Sequence, residues 1–185
     1  MTHLLALSGS LRAGSYNTAL AHTAQQLVPE GVTLDVATLH GIPLYDGDVE
    51  QRDGVPQAVL ALQARIQAAD GLLLVTPEYN SGVPGVFKNG IDWLSRADSK
   101  LTFGQRPTGL MGASMGGFGT LLSQNAWLPT LKMLGVRLFA GRSVLVSRAQ
   151  NQFDAEHQLH DAAMREMVAA YLADFAAFVA AQKKA

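Results

Sequence analysis

Serines, an arginine and an asparagine crowd into SGSLRAGSYN (8–17), spaced by Gly9 and Gly14. Small residues let backbone N–H groups turn inward, and a helix starting just after them adds its positive end. Ser10, Ser15 and Asn17 add neutral donors, and Arg12 adds a fixed charge suited to phosphate. Gly9 and Gly14 match the glycines of G-x-x-x-x-G-K-[ST], but Ser15 stands where the lysine belongs. G-x-G-x-x-G fails as well. The pattern suits a single terminal monophosphate better than a triphosphate or dinucleotide.

A second cluster lies in TPEYNSGVPGVFKNGIDWL (76–94), where Pro77 and Pro84 stiffen a loop carrying Tyr79, Asn80, Ser81 and Gly82. Such a loop presents a flat face and backbone donors, which suits a planar heterocycle with carbonyl and ring-nitrogen edges. Glu78, a carboxylate without a partner, reads as a hydrogen-bonding or solvated residue rather than a general base. The third cluster, GASMGGFGT (112–120), offers Ser114, Gly116 and Gly117 beside another helix start.

The elements that must position these clusters follow from hydropathy. Apolar runs at 3–8, 32–38, 71–76, 108–114 and 137–147 read as strands. Helical spacing is expected after the first run, over Val55–Ala69, at 84–95, at 119–134 and from 154 to 182. On the last of these, Ala163, Met167, Ala170, Tyr171, Phe175 and Phe178 form the expected inner stripe. Strands alternating with helices imply an α/β fold, a three-layer sandwich around a five-stranded parallel sheet. The flavodoxin-like order 2-1-3-4-5 brings the loops after strands one, three and four to one edge. Residues 1–185 read as one domain.

Composition narrows the function. A formal charge of -1 and the lack of a basic stripe argue against nucleic acid and anionic lipid as partners. No apolar run is long enough to span a bilayer, and no leader pattern follows Met1, so a cytoplasmic protein is expected. With no cysteine, thiol chemistry is absent and any redox step needs a bound cofactor.

Together GSLRAGSYN, LYD at 44–46, TPEYNSGVPGVFKNGIDWLSR and SMGG resemble the NADPH-dependent FMN reductase family, in particular its quinone- and chromate-reductase-like branch. The resemblance implies a flavodoxin-like fold and bound FMN. It also implies hydride transfer from NADPH or NADH to a small-molecule acceptor: quinones, free flavin, azo compounds or metal oxyanions such as chromate. Carried over by position, it puts the phosphate on Ser10, Arg12, Ser15, Tyr16, Asn17 and Thr18. The flavin ring falls on Pro77, Glu78, Tyr79 and Asn80, with a third contact at Ser114, Gly116 and Gly117. No protein acid or base is required. A flavodoxin-type electron carrier and a non-catalytic flavin-binding module stay open as alternatives, although carriers are usually strongly acidic.

The resemblance also implies a homodimer or a dimer of dimers. TLLSQNAWLPTLKML departs from the arginine-bearing stretch of some members, which counts against a salt-bridged tetramer. Val86, Phe87, Ile91, Trp93, Leu94, Trp127 and Leu131 are the expected interface residues. His157 and His160 read as solvated residues on the last helix, and Lys183 and Lys184 as a frayed tail.

Overall fold

A computed structural model describes residues 1–183. The first four apolar runs form β1 (Thr2–Ser8), β2 (Val32–Ala37), β3 (Gly71–Val75) and β4 (Pro107–Ala113). All pairings are parallel, with Leu5 opposite Asp35 on one side and Leu72 on the other. The fifth position is shared by β5 (Arg137–Leu138) and β6 (Val144–Val146), both paired to β4, so the order is the expected 2-1-3-4-5.

Side-chain alternation sets the layers. Leu4, Ala6, Leu73 and Val75 face α1 (Tyr16–Leu27), while Leu5, Leu7, Leu72 and Leu74 face the opposite helices. After the surface helix α2 (Gly47–Asp53), that second layer is built by α3 (Gln57–Ala68) and α4 (Gly85–Leu94). The short α5 (Ser99–Phe103) and α6 (Leu121–Met133) complete it, and α7 (Ala162–Gln182) packs beside α1 on the first face. α2 and α5 are one- to two-turn helices capped by Asp46 and Asp98, whose short runs carry too little periodicity to stand out in the sequence.

Four expectations need correction. The run 137–147 is not one strand. The ring of Phe139 folds over Gly141 and reaches Tyr171, Phe175 and Phe178 on α7, with centroids 5.4–5.6 Å apart, and the chain leaves the ladder between β5 and β6 to allow it. The last helix starts at Ala162, capped by Asp161, so 154–161 is irregular and neither His157 nor His160 is helical. Its buried stripe is Val168, Tyr171, Leu172, Phe175, Ala176 and Val179; Ala163 and Met167 are exposed.

The third correction concerns the expected interface. Phe87, Ile91, Trp93, Leu94, Trp127 and Leu131 are each at most 1% exposed. They fill the second face of the sheet, where Phe87 meets Trp127 edge to face at 4.9 Å. The exposed apolar residues of this region are instead Phe118, Leu121, Leu122, Leu128 and Met133. Lys183 is not free either: its ammonium contacts Asp70 at 2.5 Å and the Met1 carbonyl at 3.2 Å. Lys184 lies outside the described residues. Among those residues, no helix is long and apolar enough to cross a membrane.

Candidate functional site

The loops after β1, β3 and β4 enclose a cleft of about 310 Å³ at the carboxyl edge of the sheet. Ser10, Arg12, Ser15, Tyr16, Asn17, Pro77, Glu78, Tyr79, Asn80, Ser114 and Gly116 all line it. Thr18 and Gly117 do not: the Thr18 hydroxyl bonds Ser8 Oγ at 2.8 Å, pointing into the fold. Ser81, expected in the second loop, also lines it, and Ala113 and Met115, which residue chemistry alone did not single out, complete the walls.

The first loop is seated by close packing. Gly9 donates its N–H to Val75 O at 2.9 Å, and the buried Phe87 ring occupies the place where a Cβ would stand. Only glycine fits there. Ser15 caps α1, its Oγ accepting the Thr18 N–H at 3.3 Å. That cap leaves the Tyr16 and Asn17 N–H groups as open donors of the first turn, beside Ser10 and the exposed Arg12. The Asn17 side chain is spoken for: its amide donates to Ala113 O and accepts the Ala113 N–H, both at 2.9 Å and buried. Thus the asparagine ties loop one to the end of β4, and only its backbone faces the cleft as a free donor.

The second loop turns sharply. Tyr79 and Gly82 exchange two backbone bonds of 3.2 and 3.0 Å across Asn80 and Ser81, whose φ angles are +49° and +61°. Positive φ at both central residues is the type I′ arrangement. The turn holds Tyr79 at the cleft wall, about half exposed. Beneath it sits a buried hydroxyl knot. Thr76 Oγ1 donates to Pro77 O at 2.9 Å and accepts from Trp127 Nε1 at 3.1 Å, leaving the Ser123 hydroxyl at 3.0 Å as its second donor.

Glu78 accepts the N–H groups of Leu122 and Ser123 at 2.9 and 3.0 Å, at the start of α6. Its carboxylate is therefore a helix-end anchor that joins loop two to the helix after loop three. The third loop is clamped from behind: Arg148 N–H donates to Gly116 O, and Ala149 N–H to Ser114 O, both at 3.0 Å. Ser114 Oγ donates to Gly119 O. His157, with φ +58°, packs edge-on against Tyr16 at 6.0 Å, outside the cleft lining.

The donor set divides by chemistry. One end collects helix-start N–H groups, hydroxyls and a guanidinium, and thus suits a phosphate monoester. The other offers Tyr79 and the backbone of a rigid turn, suited to a flat polar ring. With Glu78 occupied at α6, Arg12 is the only charged side chain of the lining not already bonded within the described residues.

The family model described as NADPH-dependent FMN reductase matches residues 2–151. The chain is 45% identical over 165 residues to an NAD(P)H-dependent FMN reductase of Pseudomonas aeruginosa, covering 89% of this chain and 88% of that one. It is 33% identical over 171 residues to a 2-hydroxy-1,4-benzoquinone reductase of a Burkholderia species, with 92% of each covered. Among solved structures, FerB, the flavoenzyme NAD(P)H:(acceptor) oxidoreductase of Paracoccus denitrificans, superimposes with a TM-score of 0.85 at 26% identity over 97% of each chain.

Proposed function

The chain belongs to the NADPH-dependent FMN reductase family, and from that premise we propose that it is an NAD(P)H-dependent reductase that binds FMN in the cleft and reduces quinones. The observation that carries this reading is the two-ended donor set on three converging loops. Bound FMN would supply the redox chemistry, accepting hydride from a nicotinamide and yielding electrons to the acceptor.

The chain's own residues bind and orient. Tyr16 and Asn17 N–H, Ser10, Ser15 and Arg12 hold the phosphate, while Tyr79, Asn80 and the third loop around Ser114 and Gly116 hold the ring. Pro77 stiffens its loop, and Glu78 fixes that loop on α6. Under this reading no protein acid or base is needed, and the protein's contribution is position and partial exclusion of water. The half-exposed Tyr79 and exposed Met115 leave an open, apolar lip that admits flat aromatic substrates. Free flavin, azo compounds and oxyanions such as chromate are further acceptors under this reading. The 1–185 chain acts as one FMN-binding unit, as a homodimer, in the cytoplasm where the nicotinamide donor is made.

The alternative carrier role makes the opposite kinetic demand. The test is anaerobic mixing of the flavin-loaded protein with NADPH or NADH. Bleaching of the flavin absorbance within seconds, and its return on adding a simple quinone, is the expected result. An absorbance that neither nicotinamide changes rejects the reductase.

A further inference from the structure

The first loop has a support outside the three loops of the cleft. Residues 10–14 form its tip. Within the tip, the only bond is a long one of 3.4 Å from Arg12 N–H to Ser10 Oγ. Among the described residues, one hydrogen bond links this tip to another element: His40 Nε2 to Leu11 O, at 3.2 Å. His40 follows β2, and its Nδ1 lies 2.9 Å from Thr38 Oγ1.

A carbonyl oxygen only accepts, so Nε2 carries the proton. In the neutral ring Nδ1 is then the acceptor, and the Thr38 hydroxyl donates to it. Thr38 thereby fixes the tautomer that Leu11 needs. In a trans peptide the C=O and the following N–H point in opposite directions. Holding Leu11 C=O toward His40 therefore turns the Arg12 N–H the other way, toward Ser10 Oγ in the cleft wall.

We propose that His40 is a positioning residue for the phosphate end of the cleft, setting the peptide plane that turns the Arg12 N–H onto Ser10 Oγ and so holds Ser10 and Arg12 together at the phosphate end. His40 does not line the cleft. Its effect passes through the loop backbone. The inference rests on the FMN reading above, and riboflavin, which has the same ring and no phosphate, separates the two.

The experiment titrates flavin-stripped protein with FMN and with riboflavin, following flavin fluorescence. His40→Ala is expected to weaken FMN binding about 3- to 10-fold, the size of one net hydrogen bond, with riboflavin changed less than about twofold. His40→Gln, which still offers a side-chain N–H, restores most of the loss. His40→Phe keeps a flat ring without a donor and serves if His40→Ala does not fold; it behaves as His40→Ala does. Equal weakening of FMN and riboflavin makes His40 a general structural residue and overturns the proposal. So does unchanged FMN affinity in a folded variant. A parent protein that binds neither flavin overturns the cleft reading itself, and this proposal with it.

Discussion

At the scale of single residues, the cleft separates side chains left free of internal partners from side chains that hold its walls. Arg12 is exposed with no carboxylate partner among the described residues, so its charge is free for an anion. Asn17 is buried and doubly bonded to Ala113. The two alanine variants should therefore fail differently. A hydrogen bond to a charged group is worth about 1.5–3 kcal/mol, so Arg12→Ala should raise the FMN dissociation constant roughly 10- to 150-fold. Exposure favours the lower half of that range, and the melting temperature should stay near the parent's. Asn17→Ala instead strands two buried backbone groups, at about 1–3 kcal/mol each before relaxation, and should lower the denaturation midpoint clearly. Titration of the stripped proteins and urea unfolding read the two effects separately. Residue types announced Arg12 as a candidate anion ligand, and it lines the cleft. They could not show that Asn17 faces β4 or that Glu78 caps α6, because both roles depend on contacts 96 and 44–45 positions away. His40 carried no signal at all, being a lone histidine after a strand.

At the scale of elements, sequence pattern carried furthest where burial is two-sided. β1, β3 and β4 lie between helix layers and read as unbroken apolar runs. The pattern failed at the sheet edge, where the aromatic pull of α7 on Phe139 splits the last strand. It failed again before α7, where Asp161 sets the start and the preceding chain closes its own turn through Asp154. The 79–82 turn shows how local chemistry and site geometry compete. Type I′ turns favour Asn-Gly because both central residues need positive φ. Here Ser81 takes the second place at +61°, a conformation that costs an L-residue about 1–2 kcal/mol. Ser81→Gly removes that strain while adding about 0.5–1 kcal/mol of chain entropy, so stability should hold or rise slightly. Ser81→Val, β-branched at the same φ, should lose about 1–2 kcal/mol or more. Thermal melts of the pair check the order; a valine variant as stable as the glycine one would mean the turn is not held at positive φ.

At the scale of the whole molecule, two features join or expose parts distant in sequence. Asp70, just before β3, accepts the His3 N–H at 2.8 Å and meets Lys183 at the end of α7. Partial burial pushes its carboxyl upward, but the His3 N–H and the Lys183 ammonium outweigh that and hold it below the usual carboxylate range. A depressed folded pKa contributes stability that is present above the unfolded value, near 3.9, and is lost as pH falls through the folded one. Asp70→Asn should therefore destabilise the protein at pH 7, with the difference from the parent shrinking below about pH 4. The second feature is α6. Its inner face, Ser123, Trp127 and Leu131, is buried against the sheet, yet its outer face carries Leu121, Leu122, Leu128 and Met133, each at least 40% exposed. Ala126 and Pro129 on the same helix are exposed as well, as is Phe118, at 78%, in the third loop just before it. Asn125 and Lys132 share this outer face, but so many exposed apolar side chains on one helix mark it as a candidate association surface. Two-fold pairing of identical copies is the commonest way to cover one. The dimer expected on the helices after loops two and three, α4 and α6, cannot use their buried Phe87, Ile91, Trp93, Leu94, Trp127 and Leu131; we propose the outer face of α6, with Leu122 and Met133, in their place. Light scattering at micromolar concentration should give twice the mass of one chain. Leu122→Glu combined with Met133→Glu should return the single-chain mass with the core unperturbed, because neither side chain reaches it. A parent that scatters as a monomer would leave this face without a partner copy and remove the dimer.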